Sequence, residues 1–219
     1  MARADTTRTE IAITVGGGIR VDADVGRPKT PVGVVVFAHG SGSSRHSPRN
    51  REVATALHEA GLMTVLADLL TPAEEDVDVT SREHRFDIRL LSERVVGIVD
   101  WLGRRPQTAR LPIGLFGAST GAAAALVAAA ARPVRAVVSR GGRPDLAGSV
   151  LAAVEAPTLL IVGGADTQVL ELNRTALAEL GGTKKLEVVD GATHLFEEPG
   201  ALVRVTGLAR DWFAEHLAG

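Results

Sequence analysis

The feature that most constrains the fold is an apolar run that ends in a glycine-flanked serine and continues into four alanines. Residues 114–121 read Gly-Leu-Phe-Gly-Ala-Ser-Thr-Gly. A G-x-S-x-G pattern between a strand and a helix is typical of a sharp turn that lifts the serine hydroxyl above the edge of a sheet. Gly117 and Gly121 suit that turn because side chains beside the strained backbone would collide. We therefore predict a buried strand, a turn at Ser119 and a closely packed helix.

The rest of the chain predicts an alternation of strands and helices. Alternating residues on both sides of Gly16-Gly17-Gly18 indicate an antiparallel hairpin. Continuous apolar runs then alternate with helical patterns, as expected of parallel strands covered on both faces. The predicted strands are 9–15, 19–25, 32–38, 62–67, 111–116, 134–139, 157–162 and 185–189, and the predicted helices lie near 50–60, 86–104, 119–131, 168–180 and 200–217. The fold class is therefore α/β, with an eight-stranded, mostly parallel sheet and helices on both faces.

At 219 residues the chain fits a single domain, predicted to cover residues 1–219. Residues 1–8 are predicted to be a loose N-terminal tail. Residues 71–84 and 143–153 are predicted to be irregular, and the polar stretch 71–84 is either a solvated surface loop or a mobile flap. No segment is long enough to form a separate cap domain.

The composition excludes several kinds of partner. A formal net charge of -2 gives no basic patch for nucleic acid or for an anionic membrane surface. The first residues are polar, and no apolar run approaches the roughly 18 residues that span a bilayer. We therefore expect a cytoplasmic protein that acts on a small molecule. The sequence leaves the oligomeric state open.

Three side chains just beyond the predicted strands form a set suited to nucleophilic catalysis. A serine hydroxyl needs a base, and histidine titrates near neutrality. An acid must then orient the imidazole. Ser119, Asp166 and His194 follow successive strands in the order Ser, Asp, His. They are the predicted catalytic residues.

Two other acids compete with Asp166 for the third role. Asp145 follows the strand at 134–139, and Asp190 lies four residues before His194. Asp166 could also cap the helix that begins near 168. Its strand end and its place in the chain order favour Asp166.

Acyl transfer also needs donors aimed at the developing oxyanion. The main-chain N–H of Thr120, directly after Ser119, is one predicted donor. The N–H of Ser41, in the loop after the strand at 32–38, is the other. His39 is expected to hydrogen-bond this loop.

Three further residues are predicted to bind substrate. Arg140, at a strand end, can hold a substrate carboxylate or form a structural ion pair with Asp145 or a loop acid, and the two are equally favoured. Leu195 and Phe196 are predicted to border the acyl pocket, although a purely core role is almost equally favoured.

No metal or cofactor is predicted. The remaining histidines show no paired spacing that would suit a metal. The glycine-rich loop at 40–44 lacks both the third glycine of a dinucleotide fingerprint, since position 45 is Arg, and the G-K-[ST] of a P-loop.

Five segments give the chain a family resemblance: VVVFAHGSGSS, GLFGASTGAAAAL, SRGGRPDL, LLIVGGAD and DGATHLFEEPGAL. From about residue 10 to the end, the chain resembles small α/β hydrolases of the dienelactone-hydrolase-like group. The resemblance implies a single-domain α/β-hydrolase fold and a carboxylic-ester or related hydrolase with Ser119, Asp166 and His194 as its triad. The founding enzymes carry a cysteine in the turn, whereas this chain has Ser119 and no cysteine.

The expected function is therefore a serine hydrolase that cleaves small carboxylic esters or lactones through an acyl-enzyme. Two alternatives stay open. One is a non-catalytic small-molecule-binding protein on the same fold, because fold and function separate readily. The other is a thioesterase or amidase that uses the same three residues.

Overall fold

In the computed structural model, which describes residues 8–217, eight strands form one sheet in the order β1-β2-β4-β3-β5-β6-β7-β8. The strands are β1 (Arg8–Thr14), β2 (Arg20–Gly26), β3 (Gly33–Ala38), β4 (Leu62–Ala67), β5 (Ile113–Ala118), β6 (Ala136–Arg140), β7 (Thr158–Gly163) and β8 (Lys184–Val189). β2 runs antiparallel to β1 and β4, and the other neighbours are parallel. The predicted mostly parallel sheet with an N-terminal antiparallel hairpin is confirmed.

Helices cover both faces of this sheet, as predicted. They are α1 (Pro48–Glu59), α2 (Pro72–Ser81), α3 (Ile88–Gly103), α4 (Thr120–Ala131), α5 (Thr167–Glu179) and α6 (Ala201–Leu217), with 3-10 segments at Gly16–Gly18, His84–Phe86 and Pro144–Ala153. One apolar cluster joins the sheet to α3 and α4, and a second joins its other face to α1 and α6. None of the helices within residues 8–217 combines the length and the apolar sequence needed to cross a membrane.

The two stretches predicted to be irregular are ordered, and that expectation is wrong. Residues 72–81 form α2, and residues 144–153 form a 3-10 segment. The Thr71 side chain accepts from the Glu74 N–H and the Glu74 carboxylate accepts from the Thr71 N–H, which is a capping box. This T-x-x-E spacing is visible in the sequence and was the signal for the helix.

The predicted tail at residues 1–8 falls almost entirely outside the described residues. Arg8 is already the first residue of β1, where it pairs with Gly26. The strand therefore begins at the last residue assigned to the tail.

The strand and helix around the predicted turn pack as closely as the alanines suggest. Ala122 to Ala125 of α4 are completely buried. A Cβ added to Gly117 would lie 2.4 Å from the Ala122 Cα, so only glycine fits there. This close approach fixes the end of β5, and with it the position of Ser119.

Candidate functional site

Ser119 occupies a strained turn between β5 and α4. Its backbone has φ 50° and ψ -123°, a combination that residues with a side chain rarely adopt. Two main-chain bonds hold this conformation: the Ser119 N–H donates to the Arg140 carbonyl at 3.3 Å, and the Ser119 carbonyl accepts from the Arg143 N–H at 3.1 Å. The serine side chain stays partly exposed. Such strain at a half-exposed serine is the pattern found at functional sites.

His194 and Asp166 are joined directly. The His194 Nδ1 lies 2.7 Å from the Asp166 Oδ2, between the loops that follow β8 and β7. An ionised carboxylate only accepts hydrogen bonds, so the imidazole proton lies on Nδ1. Nε2 is then free to accept a proton. Asp166 precedes α5 at the N-cap position, but its side chain makes no cap hydrogen bond and turns to His194 instead.

The imidazole lies beside the segment that holds Ser119. An ideal Cβ on Gly141 would lie 3.6 Å from the Cε1 atom of the His194 ring and 3.1 Å from the main-chain carbonyl oxygen of His194. Gly141 follows Arg140, whose carbonyl accepts from Ser119. The three residues predicted from the sequence therefore converge at one edge of the sheet. Within residues 8–217, the Ser119 hydroxyl makes no hydrogen bond to the His194 ring.

The two rival acids are not paired with His194. Asp145 accepts two hydrogen bonds from the Arg143 guanidinium, at 2.9 and 2.8 Å. Asp190 is exposed at the end of β8. Asp166 is thus the acid beside the imidazole.

His39 holds the loop of residues 39–44, the β3 loop, against the loop that follows β4. Its Nδ1 bonds to the Gly40 carbonyl at 3.0 Å, and its Nε2 accepts from the Leu69 N–H at 3.1 Å. These two partners place the proton on Nδ1. Burial lowers the pKa of the His39 imidazole and so favours the neutral ring in the folded protein. The expected hydrogen bond to this loop is present.

The β3 loop also contacts the turn at Ser119. A Cβ on Gly40 would lie 2.9 Å from the Ser119 Cβ. The Ser41 N–H donates to the Thr120 side-chain oxygen at 2.9 Å. The sequence predicted the Ser41 and Thr120 main-chain groups as two donors, but not this bond between the two residues. A hydroxyl residue directly after the turn serine was its only sequence signal.

Arg140 is buried, and within residues 8–217 it forms no ion pair with an acidic side chain. Its guanidinium donates to the Asn50 side-chain oxygen at 3.2 Å, and its Nε has no partner in the part of the chain that the structure describes. Asp145 is paired with Arg143, so the alternative of an ion pair between Arg140 and Asp145 is not realised in this structure. Burial, with a smaller contribution from nearby Arg49, lowers the pKa of Arg140 to about 10.

Leu195 and Phe196 follow His194 but face different surroundings. Leu195 is 40% exposed, whereas Phe196 is 1% exposed and belongs to the cluster that packs against α1 and α6. Phe196 has a positive φ of 56°, a strained value for a bulky residue. Leu195 is therefore the accessible member of the pair, and Phe196 anchors the loop.

Two concavities lie at opposite ends of the sheet. The larger, about 1330 Å³, opens at the amino ends of the strands and includes Pro112, Arg135 and Pro157. The smaller, about 40 Å³, lies between the β3 loop and α2 and includes Ser41 and Val79. Ligands of α/β sheets bind beyond the carboxyl ends of the strands, so the smaller one belongs with the candidate site.

The family model described as the dienelactone hydrolase family matches residues 21–210. The chain belongs to this family. A dienelactone hydrolase from Anabaena variabilis of known crystal structure is 54% identical, covers 96% of this chain and 98% of its own, and superposes with a TM-score of 0.94. Family membership supports a hydrolase activity.

More distant structures show the same fold. Est1E from Butyrivibrio proteoclasticus is 17% identical, with a TM-score of 0.79 over 96% of this chain and 99% of its own. A serine hydrolase without a lid from Xanthomonas campestris is 20% identical, with a TM-score of 0.78 over 100% of this chain and 99% of its own. The prediction of an α/β-hydrolase fold without a cap domain is confirmed.

Curated relatives from Mycobacterium tuberculosis are longer. Two of them, named as candidate phosphoribosyl transferases, are 58% identical over 214 residues, which is 97% of this chain. The chain spans about half of their length, 47%. The name phosphoribosyl transferase was given to those longer proteins as a whole.

Proposed function

We propose that this dienelactone hydrolase family member is a serine hydrolase that cleaves small carboxylic esters or lactones through an acyl-enzyme. The observation that carries the proposal is the 2.7 Å bond between His194 and Asp166, beside a strained Ser119. This arrangement leaves His194 Nε2 as the base and exposes a hydroxyl for it to activate.

In the proposed mechanism, His194 Nε2 removes the Ser119 proton as Oγ attacks the ester carbonyl carbon. The carbonyl oxygen becomes an oxyanion, stabilised by the main-chain N–H of Thr120 and by a second donor nearby. Collapse breaks the carbon–oxygen bond of the leaving group, and His194 returns its proton to the departing alcohol. Water, deprotonated by His194, then attacks the acyl-enzyme, which releases the acid and restores the Ser119 hydroxyl. The Ser119 hydroxyl and the His194 ring must approach to hydrogen-bond distance when substrate binds. Hydrogen bonds between catalytic groups are often long in free enzymes and shorten in the complex with substrate.

Leu195 is the proposed contact for the substrate's apolar part, because it is exposed next to His194. Phe196 shapes that contact from within the core. Arg140 is the proposed partner of an anionic substrate group, since a buried guanidinium without an acid is poorly compensated. The cytoplasmic location, the small-molecule substrate and the lack of nucleic-acid or membrane partners stay predictions of the sequence.

The test is pre-steady-state hydrolysis of p-nitrophenyl acetate by the wild type and by Ser119→Ala. We expect a burst of nitrophenol followed by steady turnover in the wild type, because the acyl-enzyme forms before it hydrolyses. Ser119→Ala should lose both phases while its circular dichroism spectrum stays unchanged. Wild-type turnover in Ser119→Ala would contradict the proposal. Matched thioester and amide substrates, which the same residues would attack, define the preferred leaving group.

A further inference from the structure

We propose that the side-chain hydroxyl of Thr120, rather than the main-chain N–H of Ser41, is the second donor to the oxyanion. The inference rests on the proposed function, whose oxyanion it concerns. Thr120 then supplies two donors to the oxyanion, its main-chain N–H and its hydroxyl. Ser41 polarises that hydroxyl through its own N–H.

The Ser41 N–H is already committed. It donates to the Thr120 Oγ1 at 2.9 Å, a normal hydrogen-bond length. A hydrogen bond weakens steeply as its angle departs from linearity, so an N–H aimed at this oxygen is poorly aimed at another acceptor. Stabilising an oxyanion directly would require the β3 loop to break this bond during the reaction.

The Thr120 hydroxyl still has a proton to donate. A hydroxyl accepts and donates at once, and within residues 8–217 no protein group accepts a hydrogen bond from Thr120 Oγ1. Thr120 is only 3% exposed, and a buried donor without an acceptor is costly. An oxyanion would supply the missing acceptor. The bond from Ser41 also polarises the hydroxyl, which strengthens it as a donor.

The position of Thr120 suits a developing negative charge. It is the first residue of α4, so its N–H has no acceptor within the helix and lies at the positive end of the helix dipole. It directly follows Ser119, whose Oγ bonds to the carbon that carries the oxyanion. Both donors of one residue therefore lie next to the reacting carbonyl.

The packing leaves little room for a different arrangement. An ideal Cβ on Gly121 would lie 2.3 Å from the Ala38 carbonyl oxygen. A Cβ on Gly40 would lie 2.9 Å from that of Ser119. Since the β3 loop and the turn are in close contact on both sides of Thr120, the bond from Ser41 to the hydroxyl is held in place. The donor is thus preorganised, which is what transition-state stabilisation needs.

Thr120→Val and Thr120→Ser test this proposal. Valine keeps the shape of threonine and removes the hydroxyl, whereas serine keeps the hydroxyl. We expect Thr120→Val to lower kcat for p-nitrophenyl acetate by about 10²-fold, the usual effect of losing one oxyanion donor, with little change in KM. It should weaken inhibition by a trifluoromethyl ketone by a similar factor, because the ketone oxygen becomes an oxyanion when the serine adds to the carbonyl carbon. Thr120→Ser should recover most of both.

Thr158→Val is the matched control. Thr158 is 1% exposed at the start of β7, at the opposite end of the sheet, and its hydroxyl donates to the Ala156 carbonyl at 2.9 Å. Its loss should lower the melting temperature without changing kcat. This control separates the loss of stability that follows from removing any buried hydroxyl from a loss of kcat that is specific to the Thr120 hydroxyl.

Three results would overturn the inference while leaving the proposed function intact. Wild-type kcat in Thr120→Val would show that the hydroxyl is not a donor, and a raised kcat would show that it obstructs the site. A loss that serine does not restore, accompanied by a higher KM and a lower melting temperature, would assign Thr120 to packing. In each case an active wild type and an inactive Ser119→Ala leave the proposed function standing. A wild type without turnover would overturn the proposed function and this inference with it.

Discussion

The carboxylate of Asp166 determines which nitrogen of His194 carries the ring proton. Asp166→Asn replaces an acceptor with a group that can also donate, so the imidazole can adopt the other tautomer. We expect kcat for p-nitrophenyl acetate to fall by roughly 10³–10⁴-fold with a smaller change in KM. Steady-state kinetics of both proteins measure this.

Asp190→Asn is the control for that prediction. Asp190 is an exposed acid in the same part of the chain, and it is not paired with His194. The Asp190→Asn variant should keep a kcat close to that of the wild type. An equal loss in both variants, or full activity in Asp166→Asn, would contradict the assigned role of Asp166.

The sequence could identify a site residue where that residue directly follows the end of a predicted strand. Ser119, Asp166 and His194 follow β5, β7 and β8, and the parallel sheet brings such ends to one edge. The bond between Ser41 and Thr120 joins residues 79 positions apart and depends on the exact approach of two loops. The surroundings of Arg140 likewise depend on how α1 lies on the sheet. Sequence patterns carry no such distances.

At the scale of elements, α4 and the β3 loop touch through a residue without a side chain. An ideal Cβ on Gly121 would lie 2.3 Å from the Ala38 carbonyl oxygen and 2.4 Å from that of His39, both backbone atoms that cannot move aside cheaply. Gly121→Ala should therefore push the loop away from the turn, lowering both the melting temperature and kcat. Thermal melting and ester hydrolysis measure the two effects.

Gly207→Ala is the matched control. Gly207 lies within α6, and an added Cβ would meet nothing within 4 Å. Alanine has the higher helix propensity, so this variant should be as stable as the wild type or more stable by up to about 1 kcal/mol. If Gly121→Ala behaved in the same way, the described contact between loop and turn would be wrong.

His39 links the β3 loop to the loop after β4 and gives this connection a pH dependence. Because burial lowers its pKa in the folded protein, the unfolded chain binds the proton first as pH falls. The stabilisation is complete above the ordinary histidine value of about 6.5 and declines as pH falls from there toward the folded pKa. Urea midpoints between pH 8 and pH 5 should fall more for the wild type than for His39→Gln. Parallel curves for the two proteins would contradict this account.

The element pattern was predictable because buried parallel strands and amphipathic helices differ in hydrophobic period. β3, β4 and β7 lie within a residue of their predicted bounds. α2 was missed because its residues are mostly polar and exposed, which leaves little periodic signal beyond the capping box at Thr71. It forms because its ends are capped and because Glu74 also pairs with Arg94 of α3 at 2.5 Å.

Across the whole molecule, the candidate site lies at the carboxyl ends of the strands, and a concavity of about 1330 Å³ opens at their amino ends. The family match and the superposition on a dienelactone hydrolase cover nearly the whole chain, so the fold is shown along its length and the proposed hydrolase activity has support from the entire structure. Substrate choice does not follow from the fold, because it depends on the few residues around the site.

The most direct test of the central claim is the site at which a fluorophosphonate modifies the protein. Such a probe reacts with a serine only when a neighbouring base activates it. Intact-mass and peptide mass spectrometry of the wild type should show one adduct, on Ser119, and Asp166→Asn should label far more slowly. An unmodified wild-type protein, or an adduct on another residue while Ser119 stays free, would contradict the account.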